Sequence, residues 1–217
     1  MSPAPSPAAA TAAPKSAARA YWLKTLHQWH WISAATSLVG LILFSITGIT
    51  LNHASQIKSS PEVVNLTATV PAPLLEKIVE QKLNGEAELP PALAAWLETT
   101  WSLPAGTRKA EWNEDEIYLS LPRPGGDGWV NIDLASGEAE YETTDRGWIS
   151  YFNDLHKGRN AGAMWGWFID IFAVACLVFA ITGLCLLQIH AARRPATWPL
   201  VVLGVVLPLI LILLFVH

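Results

Sequence analysis

Histidine is the residue type in this 217-residue chain whose spacing most clearly suggests chemistry. His27 precedes one long apolar stretch and His53 follows it, whereas His156 precedes a second apolar stretch and His190 ends it. His30 follows His27 by three residues, so both imidazoles lie on one face of a helix. Two neutral imidazoles from facing helices can supply both axial ligands of a six-coordinate b-type haem. The pattern therefore indicates haem b, in one or two copies.

The elements that must position these histidines are apolar and free of formal charge. Residues 25–57, 171–192 and 195–217 contain no Asp, Glu, Lys or Arg, in a chain that is 52% hydrophobic and 15% charged. A hydrocarbon core about 30 Å thick needs about 20 helical residues, so each stretch is long enough to span a bilayer. We predict a membrane protein, mainly α, with three transmembrane helices and a small α+β insert between the first and the second.

The predicted organisation has five parts along the chain. A disordered cytoplasmic leader covers 1–20, and the first transmembrane helix with its interfacial residues covers 21–53. The insert covers 54–154 and the second transmembrane helix covers 155–190. A tight cytoplasmic turn and the third transmembrane helix complete the chain over 191–217.

Within the insert, the spacing of apolar residues predicts two helices followed by strands. The helices are expected over 74–83 and over 91–101, where the second begins at a proline pair. Alternating residues predict an antiparallel meander from 111 to 143, with a strong glycine-rich turn at 122–128. The acidic run 111–116 suits a solvated turn better than a site for a hard cation.

The distribution of charge predicts the orientation of the chain. Seventeen of the 18 acidic residues lie in the insert, whereas the charges before the first span are all basic. Only Arg193 and Arg194 are charged between the second and third spans. Short basic flanks stay in the cytoplasm. For a bacterial inner membrane, the N-terminus is therefore predicted to be cytoplasmic and residues 54–154 periplasmic.

An internal repeat relates the first two spans. Residues 44–49 read Phe-Ser-Ile-Thr-Gly-Ile, and residues 179–184 read Phe-Ala-Ile-Thr-Gly-Leu. Each unit begins at a Leu-His pair and ends at a histidine. Because the two spans run in opposite directions, this is the sequence pattern of an inverted repeat.

The repeat sorts the histidines into an inner group and an outer group. The inner pair is His27 or His30 with His190, and the outer pair is His53 with His156. His30 and His53 would be about 34 Å apart in a continuous helix, so the groups belong to opposite membrane surfaces. The repeat aligns His27 with His156 and leaves His30 as the alternative inner ligand. Interfacial histidines and small residues in helix packing would give the same pattern without a cofactor.

Four sequence motifs resemble those of the PepSY-associated transmembrane helix family. They read LHQWHW at 26–31, ITGITLNH at 46–53, LHKGR at 155–159 and ITG at 181–183, the last followed by His190. The resemblance covers nearly everything after residue 20, and it implies a PepSY-type periplasmic module for the insert. The chain is also similar to bacterial inner-membrane siderophore reductases, which carry haem between transmembrane helices.

That resemblance implies electron transfer across the membrane to a periplasmic acceptor. The acceptor would be a ferric chelate or an electron-transfer protein, and the chain would be a ferric-siderophore reductase or an electron-transfer subunit. Since only three spans are present, a homodimer or a partner subunit is expected to complete the haem sites. The competing function is a non-enzymatic accessory or regulatory membrane protein whose PepSY-like insert binds a partner.

Three charged residues near the spans have two interpretations each. Asp170 is the only formal charge inside a span, which suits either proton transfer or a structural hydrogen bond. Lys157 and Arg159 flank the outer histidines, where they either neutralise haem propionates or anchor the chain at lipid headgroups, and anchoring is favoured. The acidic insert argues against nucleic-acid binding, and the sequence contains neither an HExxH nor a GxSxG motif.

Overall fold

The computed structural model describes residues 14–58, 60–106 and 108–216. These residues fall into two compact units, one with the described residues up to Ile42 and from Asp170 onward, the other with Leu43–Ile169. The helices and strands, in chain order, are α1 Pro14–Asn52, β1 Glu62–Thr69, α2 Ala72–Val79, β2 Gly85–Glu88, α3 Pro91–Trp101, β3 Lys109–Trp112, β4 Glu116–Ser120, β5 Gly126–Asp133, β6 Glu138–Asp145, α4 Gly147–Lys157, α5 Gly162–His190 and α6 Thr197–Phe215.

Among the described residues, three helical segments are long and apolar enough to cross a membrane. They are Ala17–Asn52, Gly162–Arg193 and Thr197–Phe215. The predicted number of spans is therefore confirmed, as is a multi-pass membrane protein. The first helix begins earlier than predicted, because residues 14–20 of the expected leader are helical and rich in alanine, a strong helix former. The rest of the leader and the C-terminal residue lie outside the described residues.

The segment 155–190, predicted as one transmembrane helix, is divided into α4 and α5. Gly158, Asn160 and Gly162 all have positive φ, at 67°, 57° and 78°. A left-handed residue just past the last turn ends an α-helix, so α4 stops at Lys157 and the chain must turn before α5 begins. His156 consequently lies on the short helix α4 rather than on the spanning helix.

The insert contains an antiparallel sheet of six described strands in the order β1-β6-β5-β4-β3-β2. The predicted meander is present, but a turn divides its first strand into β3 and β4. The side-chain oxygen of Asn113 accepts the backbone N–H groups of Asp115 and Glu116 at 2.9 and 2.6 Å, so the acidic run is largely this turn. The meander prediction lacked β1 and β2, since β1 does not alternate cleanly and β2 has only four residues.

One apolar core holds α2, α3 and the sheet together. Strands β3, β4 and β5 alternate buried residues with more exposed ones, as in β5, whose Val130 and Ile132 are each 1% exposed. From the helices, Ile78 of α2 and Leu93 and Leu97 of α3 enter the same cluster. The hydrophobic effect over this cluster is what joins the helices to the sheet.

The turn between β5 and β6 is fixed by a carboxylate at the surface. Asp133 accepts the backbone N–H and the hydroxyl of Ser136 at 2.7 and 2.8 Å, and the N–H of Ala135 at 3.0 Å. These hydrogen bonds, led by the one from the Ser136 backbone, lower the pKa of Asp133. Because the pKa is lowered on folding, the contribution of this turn is present at neutral pH and is lost as the pH falls.

Leu97→Ala is expected to destabilise the insert by about 2–5 kcal/mol, because Leu97 is fully buried and its removal leaves a cavity. Denaturant unfolding of the full chain in detergent, followed by tryptophan fluorescence, measures this change. Glu98→Ala on the exposed side of the same helix is the control and should change stability by less than about 0.5 kcal/mol. Equal effects of the two substitutions would contradict the assigned core.

Candidate histidine sites

The His30 site consists of His30 from α1 with Phe179, Thr182 and Gly183 from α5. His30 Nδ1 lies 3.0 Å from Thr182 Oγ1. The imidazole stacks on Phe179, with ring centroids 4.8 Å apart and planes inclined by 18°. A Cβ atom on Gly183 would lie 3.4 Å from His30 Cε1, in van der Waals contact with the ring.

The His156 site consists of His156 from α4 with Phe44, Thr47 and Gly48 from α1. His156 Nδ1 lies 2.6 Å from Thr47 Oγ1. The centroids of His156 and Phe44 are 4.9 Å apart, with the planes tilted by 42°. A Cβ atom on Gly48 would lie 3.7 Å from His156 Cε1.

The two sites are built from the same residue types at the same spacing. In each, a Phe-x-x-Thr-Gly segment holds an imidazole from a different helix, and the two segments are those of the internal repeat. The counterpart of His156 is therefore His30, and the predicted alignment with His27 is wrong. His27 is exposed, and its Nδ1 lies 2.8 Å from the carbonyl oxygen of Leu23 on its own helix.

The threonine hydroxyls at both sites contact an imidazole nitrogen and a carbonyl oxygen of their own helix. Thr182 Oγ1 lies 2.7 Å from the carbonyl oxygen of Val178, and a hydroxyl that donates to this carbonyl accepts from His30. Thr47 Oγ1 likewise donates to the carbonyl of Leu43 at 3.0 Å. With each hydroxyl donating to its own helix, Nδ1 of both histidines is the N–H donor and the lone pair of the neutral ring lies on Nε2.

His27, His53 and His190 share a different arrangement that gives the same tautomer. In each, Nδ1 lies 2.8–2.9 Å from the carbonyl oxygen four residues earlier on its own helix. A carbonyl oxygen only accepts, so Nδ1 again carries the proton. In the part of the chain that the structure describes, Nε2 of these three rings makes no hydrogen bond, and the same holds for the other two sites.

A cavity of about 510 Å³ adjoins the His30 site. It brings together His30 and His190, which the sequence predicted as an inner pair. Arg193 and Arg194 also line it, and neither forms an ion pair with a described residue. The lining residues are His30, Gly183, Leu186, Leu187, His190, Arg193, Arg194 and Thr197. The cavity thus combines two imidazoles, two cations and apolar walls.

The remaining predicted site residues are less closely associated. Neither a hydrogen bond nor a ring contact joins His53 to His156 among the described residues, and His53 is exposed. Lys157 Nζ lies 3.9 Å from Asp154 Oδ1, while the side chains of Arg159 and Asp170 are exposed and form no ion pair within residues 14–58, 60–106 and 108–216. No group of three or more His, Cys, Asp or Glu side chains converges in this part of the chain.

Comparison with protein families identifies the chain. The family model described as "Putative PepSY_TM-like" matches residues 21–217. The chain belongs to this family. Comparisons with curated proteins and with solved structures gave no match. In this PepSY_TM-like chain, both Phe-x-x-Thr-Gly segments and the five described histidines lie inside the matched range, as the resemblance of the four motifs predicted.

Thr182→Val is expected to destabilise the contact between α1 and α5 by about 0.5–1.5 kcal/mol, since it keeps the side-chain shape but leaves the His30 N–H without an acceptor. SDS-induced unfolding in micelles measures this change. Thr36→Val is the matched control, because the Thr36 hydroxyl is exposed and bonds only to its own helix. A loss of stability as large in Thr36→Val would argue against the interhelical hydrogen bond.

Proposed function

We propose that this PepSY_TM-like chain is an inner-membrane haem-b protein that passes electrons across the membrane to a periplasmic acceptor such as a ferric siderophore. The single observation that carries the proposal is the cavity shared by His30 and His190. Both imidazoles present an Nε2 lone pair, and two arginines without a described acidic partner line the same space.

The donor set of the cavity fits a haem. Histidines that bind a metal through one nitrogen commonly donate the other N–H to a carbonyl or hydroxyl oxygen, which fixes the ring and raises its basicity. His30 does so to Thr182, and His190 to the carbonyl of Leu186. Two imidazoles would suffice, because the macrocycle would supply the other ligands of the iron.

The other lining residues would orient the haem. Arg193 and Arg194 would bind the two propionates of the haem, since guanidinium groups form strong charge-assisted hydrogen bonds to carboxylate oxygens. Leu186 and Leu187 provide apolar walls. Haem, when bound, supplies a one-electron couple whose potential depends on the axial ligands and on burial.

The His156 site is the proposed second position, with His156 as a ligand and His53 as its predicted partner. Orientation by the positive-inside rule puts Arg193 and Arg194 in the cytoplasm and the insert in the periplasm. Electrons would then enter at the His30 site and leave at the His156 site, next to the insert. A second copy of the chain would complete the surroundings of His53.

An absorption spectrum of the purified full-length protein tests this function. With haem supplied during expression, we expect a Soret band, a reduced α-band and roughly one or two haems per chain by pyridine haemochrome assay. Protein that is folded by circular dichroism yet contains no haem would overturn the proposal.

Partner binding by the insert is the second candidate function, and the edge strand β1 favours it. The strand has eight residues and is exposed over most of its length, and residues 63–70 contain no charge. An exposed edge without lysine or proline is suited to pairing with an extended segment of another protein. One outcome that favours partner binding is co-purification of a partner with a variant in which His27, His30, His53, His156 and His190 are all replaced. The other is loss of that partner when residues 57–150 are deleted. Together they would favour partner binding over electron transfer.

A further inference from the structure

Two adjacent polar residues of α4 are buried, and both point to neighbouring elements. Asn153 is 6% exposed and Asp154 is 7% exposed, and these are the buried residues of this helix. Burying polar groups costs free energy unless hydrogen bonds replace those lost to water. Each of the two has such a partner, and the two partners lie on different elements.

Asn153 connects α4 to α1. Its Oδ1 accepts a hydrogen bond from Thr50 Oγ1 at 2.7 Å. Thr50 follows Thr47 by three residues, so both threonines lie on one face of α1, and Thr47 is the acceptor of His156. Helix α4 is therefore attached to α1 by two neighbouring hydrogen bonds, of which one holds the imidazole.

Asp154 connects α4 to the sheet. Its Oδ2 accepts the backbone N–H of Gly125, in the turn between β4 and β5, at 2.9 Å. Gly125 has a φ of 73°, and a Cβ atom there would lie 2.7 Å from the Cα of Tyr151. The turn thus lies directly on the backbone of α4, which accounts for the glycine at position 125.

The end of α4 is fixed as well. Trp165 Nε1 donates to the carbonyl of Leu155 at 2.8 Å, and the N–H of Arg159 donates to the carbonyl of Asp154, also at 2.8 Å. The backbone on both sides of His156 is therefore held by contacts with the sheet, with α1 and with the start of α5.

We propose that Asn153 and Asp154 are positioning residues through which the sheet of the insert sets the orientation of the His156 imidazole. In this arrangement a displacement of the β4–β5 turn displaces α4, and the His156 ring moves with that helix. The inference depends on the proposed function only for the role of His156 as a ligand. The hydrogen bonds of Asn153 and Asp154 that support it do not depend on the proposed function.

The test is nuclear magnetic resonance of the full chain in micelles, labelled with ¹⁵N-histidine. In Asp154→Ala and in Asn153→Ala, we expect exchange of the His156 Nδ1 proton with water to accelerate by about tenfold or more, while His30 is unchanged. Asp154→Asn retains an oxygen acceptor for Gly125 and should restore slow exchange. Asp133→Ala is the matched control, because it also removes a carboxylate that accepts backbone N–H groups, but in a turn away from α4.

Unchanged exchange at His156 in both alanine variants would overturn the proposal. If Asp154→Ala does not fold, Thr50→Val gives the same readout, since it removes the partner of Asn153 without altering α4. Should the wild type bind haem, Asp154→Ala should also shift the midpoint potential of one haem, and Asp154→Asn should reverse that shift. A wild type without haem would reject the proposed function but leave the exchange measurement decisive for the positioning role.

Discussion

His190→Ala is expected, under the proposed function, to lower the haem content of the purified protein by about one haem per chain, because it removes one of the two imidazoles proposed to hold the haem in this cavity. His30→Ala should have the same effect, and the two substitutions together should be no worse than either alone. The measurement is the absorption spectrum with haem stoichiometry, normalised to folded protein. Full haem content in both variants would refute this pair of ligands even if haem were present.

His27→Ala is the control for that experiment. His27 lies one helical turn from His30, has the same tautomer and is exposed. Its removal should leave the spectrum unchanged. A loss of haem in His27→Ala, with His30→Ala intact, would instead support the pairing that the repeat alignment alone suggested.

Gly125→Ala is expected to destabilise the insert by about 3 kcal/mol or more, since two penalties combine at this position. The positive φ disfavours any residue with a Cβ atom, and the added atom would lie 2.7–2.8 Å from the backbone and Cβ of Tyr151. Denaturant unfolding of the full chain measures the loss, and proteolysis near α4 should accelerate.

Gly85→Ala separates the two penalties. Gly85 has nearly the same φ, at 76°, but nothing lies within 4 Å of the position of its Cβ atom. It should therefore cost only about 1 kcal/mol, the backbone term alone. If Gly125→Ala proved no more destabilising than Gly85→Ala, the close approach of the turn to α4 would be refuted.

Much of the architecture follows from local sequence signals. The three spans follow from long uncharged stretches, and α3 begins at Pro91, as predicted from a proline that fits the first turn of a helix. The strand β1 could not be found in this way. It lies at the edge of the sheet and pairs with β6, about 70 to 80 residues later, so its residues carry neither clean alternation nor a nearby turn signal.

The histidine sites were only partly predictable, because periodicity gives the face of a helix but not its neighbour. His27 and His30 lie on similar faces, and only the packing of α1 against α5 distinguishes them. The threonines of the repeat were visible in the sequence, but their role as acceptors depends on contacts between helices. Arg193 and Arg194 were interpreted only as topology signals, since their place at the cavity depends on the turn after α5.

The duplication of the Phe-x-x-Thr-Gly segment has a practical consequence for experiments on this protein. Each substitution in one segment has an equivalent in the other. The effect of Thr47→Val can therefore be compared with that of Thr182→Val in the same protein and under the same conditions. The two rings nevertheless meet their phenylalanines at different inclinations, 18° and 42°. Ring-current shifts should therefore give the two imidazoles separate resonances, so that His30 and His156 can be monitored independently.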